Sequence, residues 1–210
     1  NNIVATTNLI EKVDRKSLTK FIFISTSSVY GRFAEGNEES STEPISPYGV
    51  TKLAAENMLL AYFREFQFPV SILRIFSVYG PRQRSDMMYS KLFMAALNDS
   101  KIKVYGDGSQ SRSNTFVGDI VSGIEKAIEG SRLGEIYNLG GGEVIQLNEA
   151  IKLIESITQR EIRREFAPSA KGDQYRTAAN FEKAKREFGY LPVKGIREGL
   201  EEQYDWTLRS

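Results

Sequence analysis

Tyr48 and Lys52 stand four positions apart at the start of a stretch whose apolar residues recur at helical spacing. On a helix, this separation places the two side chains on the same face, one above the other. An ammonium group beside a phenol favours the phenolate and lowers a pKa that starts at about 10. Such a tyrosine could act as a general acid or base near neutral pH. The spacing equally fits an exposed ring and a solvated amine, so it does not identify a site by itself.

A second tyrosine–lysine pair shows how weak the spacing is as a signal. Tyr190 and Lys194 are also four positions apart, but Pro192 lies between them. Proline breaks a helix, so this pair is not expected to share a helix face. The stretches around Tyr48 and Lys52 must therefore decide whether they form a site.

The composition limits the chemistry that the chain can perform. It has 210 residues, of which 40% are hydrophobic and 26% are charged, as is ordinary for a soluble globular protein. Cysteine and histidine are absent, which excludes disulfides, cysteine nucleophiles, histidine acid–base chemistry and nearly all zinc sites. A net charge of +1 gives no broad field for nucleic acid or an anionic membrane. With no apolar run of membrane-spanning length and no visible signal peptide, we expect a cytoplasmic protein without a metal site.

The helix that carries Tyr48 and Lys52 is predicted to lie between two strands. Ser46 is a good N-cap, Pro47 suits the first helical position, and the helical pattern ends near Phe66. Residues 21–24 are a continuous apolar run, which is typical of a buried parallel strand, and residues 70–76 are predicted to form a second strand. A strand, a helix and a strand in this order form a right-handed parallel unit. Such a unit brings the ends of both strands and the start of the helix to one edge.

Hydroxyl side chains follow both of these strands. Residues 25–28 are Ser, Thr, Ser and Ser, and Ser77 follows the second strand. In an open α/β sheet, ligands bind outside the carboxyl ends of the strands. We therefore expect Thr26, Tyr48, Lys52 and Ser77 to meet around one cleft. The alternative is a turn that uses its hydroxyl groups only for local hydrogen bonds.

The remaining patterns predict a mixture of helices, strands and polar loops. Arg112 lies in a predicted Ser-rich loop, where a cation among hydroxyls and backbone amides suits a phosphate, although a lone loop arginine is often simply solvated. The other predicted helices cover residues 1–16, 87–97, 119–129, 181–188 and 196–208, the strands cover 102–105, 136–139 and 160–166, a short strand and a helix share 143–159, and surface loops cover 32–43 and 168–176.

Five stretches, in this order along the chain, resemble the extended short-chain dehydrogenase/reductase family, in particular its NAD-dependent nucleotide-sugar epimerases and dehydratases. They are residues 25–31 (STSSVYG), 46–52 (SPYGVTK), 73–81 (LRIFSVYGP), 104–116 (VYGDGSQSRSNTF) and 137–142 (YNLGGG). Residues 73–87 look most like the UDP-glucose and UDP-glucuronate 4-epimerases. The resemblance implies an α/β fold, formed by the C-terminal part of a Rossmann-like doubly wound parallel sheet and a smaller α/β substrate-binding domain.

The resemblance also implies a division of the chain. Residues 1–80 would be the remaining part of the NAD-binding domain, with the catalytic tyrosine and lysine. Residues 81–210 would mainly bind the nucleotide sugar, with some segments returning to the sheet. The family opens with a glycine-rich turn that holds the NAD pyrophosphate, and this sequence has no such segment. We therefore expect the chain to be about the carboxyl-terminal two thirds of a larger protein, which puts independent NAD binding in question.

The resemblance assigns roles to individual residues. Thr26 would hydrogen-bond the sugar hydroxyl at the reacting carbon, Tyr48 would be the base, and Lys52 would hold the nicotinamide ribose and make Tyr48 more acidic. NAD is the implied cofactor, and Asn1 and Ser25 are expected beside it, together with Tyr48 and Lys52. The residues expected to bind the nucleotide sugar are Ser27, Ser28, Ser77, Tyr105, Arg112 and Asp173.

The pair Ser27-Ser28 bears on the reaction that the resemblance implies. Dehydratases of the family carry Asp-Glu at these positions, and the related decarboxylases commonly carry Glu at the position of Ser28. A hydroxyl near pH 7 cannot replace a carboxylate as the group that removes a C5 proton. The resemblance therefore favours an NAD-dependent 4-epimerase acting on a UDP-hexose. Tyr48 would take the proton of the 4-hydroxyl while hydride passes to NAD, and the 4-keto sugar would then turn over and be reduced on its other face.

Other readings stay open. A reductase, a dehydratase or an epimerase acting at another carbon would belong to the same family. A non-catalytic binding protein that keeps the fold is the alternative from a different class, because a fold does not fix a function. In the family, the first helix and the Tyr48 helix often pack against their mates, so we expect a homodimer, with neither nucleic acid nor a membrane as a partner.

Overall fold

The computed structural model describes residues 2–168, 172 and 174–209. Asn1 and Asp173, which the sequence predicted beside the cofactor and the substrate, lie outside the described residues. The helices are α1 (Asn2–Lys12), α2 (Pro47–Phe66), α3 (Met88–Leu97), α4 (Val117–Gly130), α5 (Leu147–Thr158), α6 (Glu182–Phe188) and α7 (Ile196–Arg209). The strands are β1 (Phe21–Thr26), β2 (Phe33–Ala34), β3 (Val70–Ile75), β4 (Ser77–Tyr79), β5 (Lys101–Tyr105), β6 (Ser111–Phe116), β7 (Ile136–Leu139), β8 (Val144–Gln146), β9 (Arg163–Ala167) and β10 (Arg176–Thr177).

A parallel sheet in the order β1-β3-β7 carries the predicted catalytic segment. The helix α2 connects β1 to β3, and Thr26 at the end of β1 lies opposite Ile75 at the end of β3. Ile72 and Leu73 are neighbours in β3 but belong to different hydrophobic clusters, one formed with α1 and α2 and the other with α4 and α6. Helices therefore cover both faces of a parallel sheet, which confirms the predicted α/β fold class.

A second group of strands surrounds β6. The strand β6 pairs in parallel with β4 and β10 and antiparallel with β8. The strand β10 also pairs with β2. The strands β5 and β9 form a separate parallel pair. The helices α3, α5 and α7 pack in this region around buried side chains that include Leu92, Ile151 and Leu200. The division into residues 1–80 and 81–210 stays a prediction.

The helix α1 is shorter than its apolar pattern predicted, because it ends at Lys12 and not near Lys16. The carboxylate of Asp14 accepts hydrogen bonds from the backbone N–H of Lys16 at 3.1 Å and from the hydroxyl of Ser17 at 2.9 Å. Aspartate that bonds nearby groups in this way competes with the helical ladder. The helix therefore stops before this local turn.

Polar segments that we predicted to be loops contain strands. Residues 32–43 include β2, and Arg112 lies on β6, not in a loop. The polar side chains of β6 find partners within the fold. The hydroxyl of Ser113 donates to the carbonyl oxygen of Gly142 at 3.2 Å, and the hydroxyl of Thr115 accepts from the N–H of Gly142 at 3.3 Å. These partners are distant in sequence. The polar composition of β6 by itself therefore predicted a loop.

Within the described ranges, no helix has both the length and the apolar character needed to cross a bilayer. The same part of the chain has no cluster of three acidic side chains placed to hold a metal ion.

Candidate active site

The first turn of α2 is built against the turn that follows β1. The hydroxyl of Ser46 accepts a hydrogen bond from the N–H of Gly49 at 3.1 Å and caps the helix, with Pro47 in its first turn. Gly49 lies against the backbone of Ser28, and a Cβ placed there would come within 2.7 Å of the carbonyl oxygen. Only glycine permits this approach. The start of α2, including Tyr48, is therefore held beside the hydroxyl-rich turn.

Thr26 ends β1 and caps the short 3-10 turn Ser27–Tyr30. Its Oγ1 accepts a hydrogen bond from the N–H of Ser28 at 3.2 Å and donates to the Oγ of Ser28 at 3.2 Å. Thr26 is buried and Ser28 is half-buried. The two hydroxyls form a connected pair at the carboxyl end of β1, which is the edge where open α/β sheets bind ligands.

Lys52 reaches the same strand from the second turn of α2. Its Nζ donates a hydrogen bond to the carbonyl oxygen of Ile24 at 2.8 Å and lies 4.8 Å from the ring centroid of Phe23. Burial lowers the pKa of Lys52, and the negative charge of Glu56 acts in the opposite direction. Tyr48 is 50% exposed, so its ring is accessible to a ligand. The proton-transfer role of Tyr48 stays a prediction.

Ser25 directs its side chain away from solvent. Its hydroxyl donates a hydrogen bond to Oε1 of Glu56, and both residues are buried. Glu56 forms an ion pair with Arg74 of β3, with 2.7 Å between Nη2 and Oε2. A contact between Ser25 and a cofactor would therefore have to come from its backbone. Sequence reasoning missed this pair, because nothing near Glu56 indicates a partner on β3.

Ser27 is hydrogen-bonded to Gln174 in the loop before β10, a contact that the sequence did not predict. Its hydroxyl donates to Oε1 of Gln174 at 3.3 Å, while Nε2 of Gln174 donates to the carbonyl oxygens of Ser27 at 3.2 Å and Gly31 at 2.9 Å. The backbone carbonyl of Gln174 accepts a hydrogen bond from Nη2 of Arg112. Nη1 of Arg112 donates to the carbonyl oxygen of Tyr175 at 3.1 Å. Gln174 thus joins the hydroxyl-rich turn to the predicted phosphate-binding arginine, and a single glutamine in a polar loop gave no signal of this.

A cavity of about 280 Å³ lies between β4, β6, α3 and the start of α5. Ser77 and Arg112, which were both predicted to bind substrate, line it. Other lining residues are amide and apolar side chains, among them Gln83, Gln146, Met88 and Leu147. Tyr105 is outside the lining formed by the described residues. Its carbonyl oxygen accepts a hydrogen bond at 3.1 Å from Nε2 of Gln110, which does line the cavity.

One wall of this cavity is supported by Gln203, a buried residue of α7. Its side chain accepts a hydrogen bond from the N–H of Gly80 at 2.9 Å and donates to Oε1 of Gln83 at 3.2 Å. The same oxygen of Gln83 accepts from the N–H of Ser90 at 3.1 Å. These bonds hold the segment after β4 against α3 and α7. They escaped sequence reasoning because isolated glutamines are ordinary surface residues.

Comparison with known sequences gives a consistent result. A family model described as the NAD dependent epimerase/dehydratase family matches residues 1–140. The chain is 39% identical over 202 residues to YtcB of Bacillus subtilis, an uncharacterized UDP-glucose epimerase, and the match covers 95% of this chain and 64% of that protein. It is 30% identical over 208 residues to a dTDP-glucose 4,6-dehydratase of Streptomyces niveus, with 98% of this chain and 62% of that protein covered.

The fold has a close counterpart among solved structures. The UDP-glucuronic acid 4-epimerase of Bacillus cereus, in complex with UDP-glucuronic acid and NAD, superposes with a TM-score of 0.94 at 38% identity. The match covers 100% of this chain and 68% of that one. The chain thus spans 64% of the length of the Bacillus subtilis protein and 62% of the length of the Streptomyces niveus protein.

Proposed function

The chain belongs to the NAD-dependent epimerase/dehydratase family, whose members act on nucleotide sugars, and we propose that it carries the chemistry of a UDP-hexose 4-epimerase. In this reaction Tyr48 takes the proton of the sugar 4-hydroxyl and returns it after the 4-keto sugar has turned over. NAD, when bound, supplies the hydride acceptor and donor. Thr26 holds the reacting hydroxyl, and Lys52 stabilises the phenolate of Tyr48.

The hydroxyl pair of Thr26 and Ser28, beside the first turn of α2, is the observation that carries this proposal. Removal of a C5 proton, which dehydration requires, needs a carboxylate or a comparable base. The two positions after Thr26 are Ser27 and Ser28, which offer hydroxyl groups and no carboxylate. These side chains favour hydride exchange at C4 over dehydration. A dehydratase is the second candidate, since one occurs among the relatives.

Lys52 fits the nicotinamide ribose of NAD. An ammonium group has three donors, and the bond to the carbonyl oxygen of Ile24 uses one of them. The group can therefore also donate to ribose hydroxyls at this edge of the sheet. Tyr48 and the backbone of Ser25 are proposed to lie against the same part of the cofactor. The role of these residues is to bind the ribose and to keep the reacting carbon near Tyr48.

The cavity lined by Ser77 and Arg112 is proposed to bind the nucleoside diphosphate. A guanidinium group binds phosphate oxygens in a fork, and backbone carbonyls fix the direction of the Arg112 side chain. Ser77 would donate one hydrogen bond to the sugar or phosphate. The backbone of β5 near Tyr105 is proposed to meet the base. The Bacillus cereus relative binds UDP-glucuronic acid, which supports a UDP-hexose as the substrate class.

We also propose that two copies associate through α1 and α2. These helices pack together and expose apolar side chains that include Val4, Leu9 and Val50. A contiguous patch of exposed apolar side chains is typical of a protein interface. The cytoplasm is the proposed location.

The decisive experiment incubates the intact protein with NAD and either UDP-glucose or UDP-glucuronate and follows the sugar by NMR. The proposal predicts interconversion with the C4 epimer and no net formation of NADH. A 4-keto-6-deoxy sugar would instead identify a dehydratase, and release of carbon dioxide would identify a decarboxylase. Binding of UDP and NAD without turnover of either sugar would favour a binding protein that has kept the fold.

A further inference from the structure

Glu56 is a buried carboxylate that the proposed mechanism does not use. It follows Tyr48 and Lys52 on the same face of α2, because the three residues are spaced four apart. Its side chain is 1% exposed, and the side chain of its partner Arg74 is 4% exposed. A buried ion pair is costly to desolvate and is often no more stable than apolar packing. The position of this pair therefore calls for a role other than stability alone.

The carboxylate of Glu56 is bonded from two strands. From β3, Arg74 donates through Nε at 3.1 Å and 3.2 Å and through Nη2 at 2.7 Å. From β1, the hydroxyl of Ser25 donates to Oε1. The remaining nitrogen of Arg74, Nη1, donates to the hydroxyl of Tyr30 at 2.9 Å and to the backbone carbonyl of Glu38 at 3.3 Å. The pair thus has hydrogen-bond partners on β1, on the 3-10 turn Ser27–Tyr30 and in the loop after β2.

Lys52 and Glu56 contact neighbouring residues of β1. The ammonium of Lys52 is bonded to the carbonyl oxygen of Ile24, and the carboxylate of Glu56 is bonded to the hydroxyl of Ser25. Two successive turns of α2 are therefore fixed to two successive residues of the strand that ends at Thr26. A shift of the helix along the strand would break both contacts together.

We propose that Glu56 is a positioning residue for Tyr48 and Lys52. It locks their helix face against the end of β1, and its negative charge favours the ammonium form of Lys52. The charge effect has a visible direction, since burial lowers the pKa of Lys52 and Glu56 opposes that change. The positioning effect rests on the proposed function, whereas the charge effect does not.

In the described part of the chain, the charged and titratable groups near Lys52 include Tyr48 and Glu56 on its own helix, and Arg74 on β3 is paired with Glu56. The strand β1 presents the uncharged Ile24 carbonyl and Phe23 ring. Arg84, from the loop after β4, is within electrostatic reach of Tyr48. Glu56 is the charged group that raises the pKa of Lys52. Replacing Glu56 by a neutral residue of the same shape therefore leaves the burial effect unopposed.

The test compares Glu56→Gln with wild type in the intact protein. The pH dependence of Lys52 acylation, read by peptide mass spectrometry, reports the pKa of that amine whether or not the protein is an epimerase. We expect the pKa of Lys52 to be lower in Glu56→Gln than in the wild type. In Glu56→Asp, which keeps the charge, it should stay near the wild-type value. Glu65→Gln, an exposed change on the same helix, is the matched control and should behave as wild type.

The kinetic readout separates positioning from folding. In Glu56→Gln we expect kcat to fall on the order of 10²-fold with KM little changed, because a small misplacement of reacting groups has about this effect. The alkaline limb of kcat should also move to lower pH. A merely structural glutamate would lower the amount of folded enzyme without moving that limb.

One variant guards against loss of the fold. If Glu56→Gln leaves Arg74 unpaired and does not fold, Glu56→Gln/Arg74→Gln removes both charges and is expected to show a lower pKa of Lys52 than the wild type. Equal pKa values of Lys52 in the folded variant and in Glu65→Gln would overturn the inference. Absence of epimerase turnover in wild type would count against the proposed function only, since the acylation measurement still decides the charge effect.

Discussion

The side-chain amide of Gln174 donates a hydrogen bond to the carbonyl oxygen of Gly31 over 2.9 Å. The two residues lie 143 positions apart in sequence. The same side chain bonds the hydroxyl and the carbonyl oxygen of Ser27, and the backbone carbonyl of Gln174 accepts from Arg112. The turn that presents the hydroxyls proposed for catalysis and the cavity proposed for the nucleotide therefore share one support.

Gln174→Leu tests this support. The change keeps the approximate size but removes the donors to the Ser27 and Gly31 carbonyls, so we expect a loss of about 1 kcal/mol in the free energy of unfolding. The KM for the nucleotide sugar should rise, because the loop that orients Arg112 is no longer held. Urea unfolding and steady-state kinetics measure the two effects. Tyr175→Phe, which removes an exposed hydroxyl from the next residue, is the control, and equal behaviour of the two variants would contradict the prediction.

Tyr48→Phe tests the proposed acid–base group. Removing the phenolic hydroxyl should lower kcat by about 10²- to 10⁴-fold, the usual contribution of a positioned acid or base. Binding of UDP should change little, because Tyr48 is not among the residues that line the cavity in the described part of the chain. Tyr62→Phe, on the same helix, should retain wild-type activity. Full turnover by Tyr48→Phe would remove Tyr48 from the mechanism.

The Glu56–Arg74 pair predicts an asymmetry in stability. Arg74→Met leaves the buried carboxylate of Glu56 without its cation and should lower the free energy of unfolding by about 3–5 kcal/mol. Arg74→Met combined with Glu56→Leu should be less destabilising than Arg74→Met alone, because no buried charge is left. Denaturant unfolding of the two variants measures this difference.

The matched control for that prediction is Arg163→Met. The partner of Arg163 is Asp99, and both side chains are more than half exposed. Solvent screens such a pair, so the loss should be less than about 1 kcal/mol. If Arg74→Met were as mild as this control, the mutation would not leave the carboxylate of Glu56 as an uncompensated buried charge.

The surroundings of Tyr48 followed from local sequence rules. Ser46 as the cap, Pro47 in the first turn and the end of α2 at Phe66 were all predicted, and the structure confirms them. Each depends on residues within one or two helical turns. The parallel pairing of β1 with β3 was also predicted, because a strand, a helix and a strand in this order form a right-handed parallel unit.

The parts that sequence reasoning missed depend on partners far apart in the chain. Glu56 stands at helical spacing from Lys52, but its ion-pair partner is Arg74 on β3. Gln174 and Gln203 are ordinary polar residues until the fold brings them to Ser27 and to Gly80. A pattern of apolar residues carries no information about such polar contacts. This explains why β6, which is stabilised by them, was predicted to be a loop.

Val4→Glu tests the proposed association through α1 and α2. Val4 is 66% exposed on α1, and a charge placed in an apolar interface should be strongly unfavourable. We expect a dimer for the wild-type protein and a monomer for the variant, as measured by sedimentation velocity. Val193→Glu is the matched control, since Val193 is 77% exposed on the segment before α7. A wild-type monomer, or a Val4→Glu dimer, would contradict the proposed interface.

Arg112→Lys tests the nucleotide site. Lysine keeps the positive charge but loses the planar fork that can bond two phosphate oxygens and the carbonyls of Gln174 and Tyr175 together. We expect the Kd for UDP to rise about tenfold, which corresponds to about 1.4 kcal/mol, as measured by calorimetry. Arg197→Lys, at an exposed position of α7, should bind UDP as the wild type does. Unchanged affinity in Arg112→Lys would mean that the diphosphate is bound elsewhere, because the loss of the fork should weaken the binding of a phosphate at this cavity.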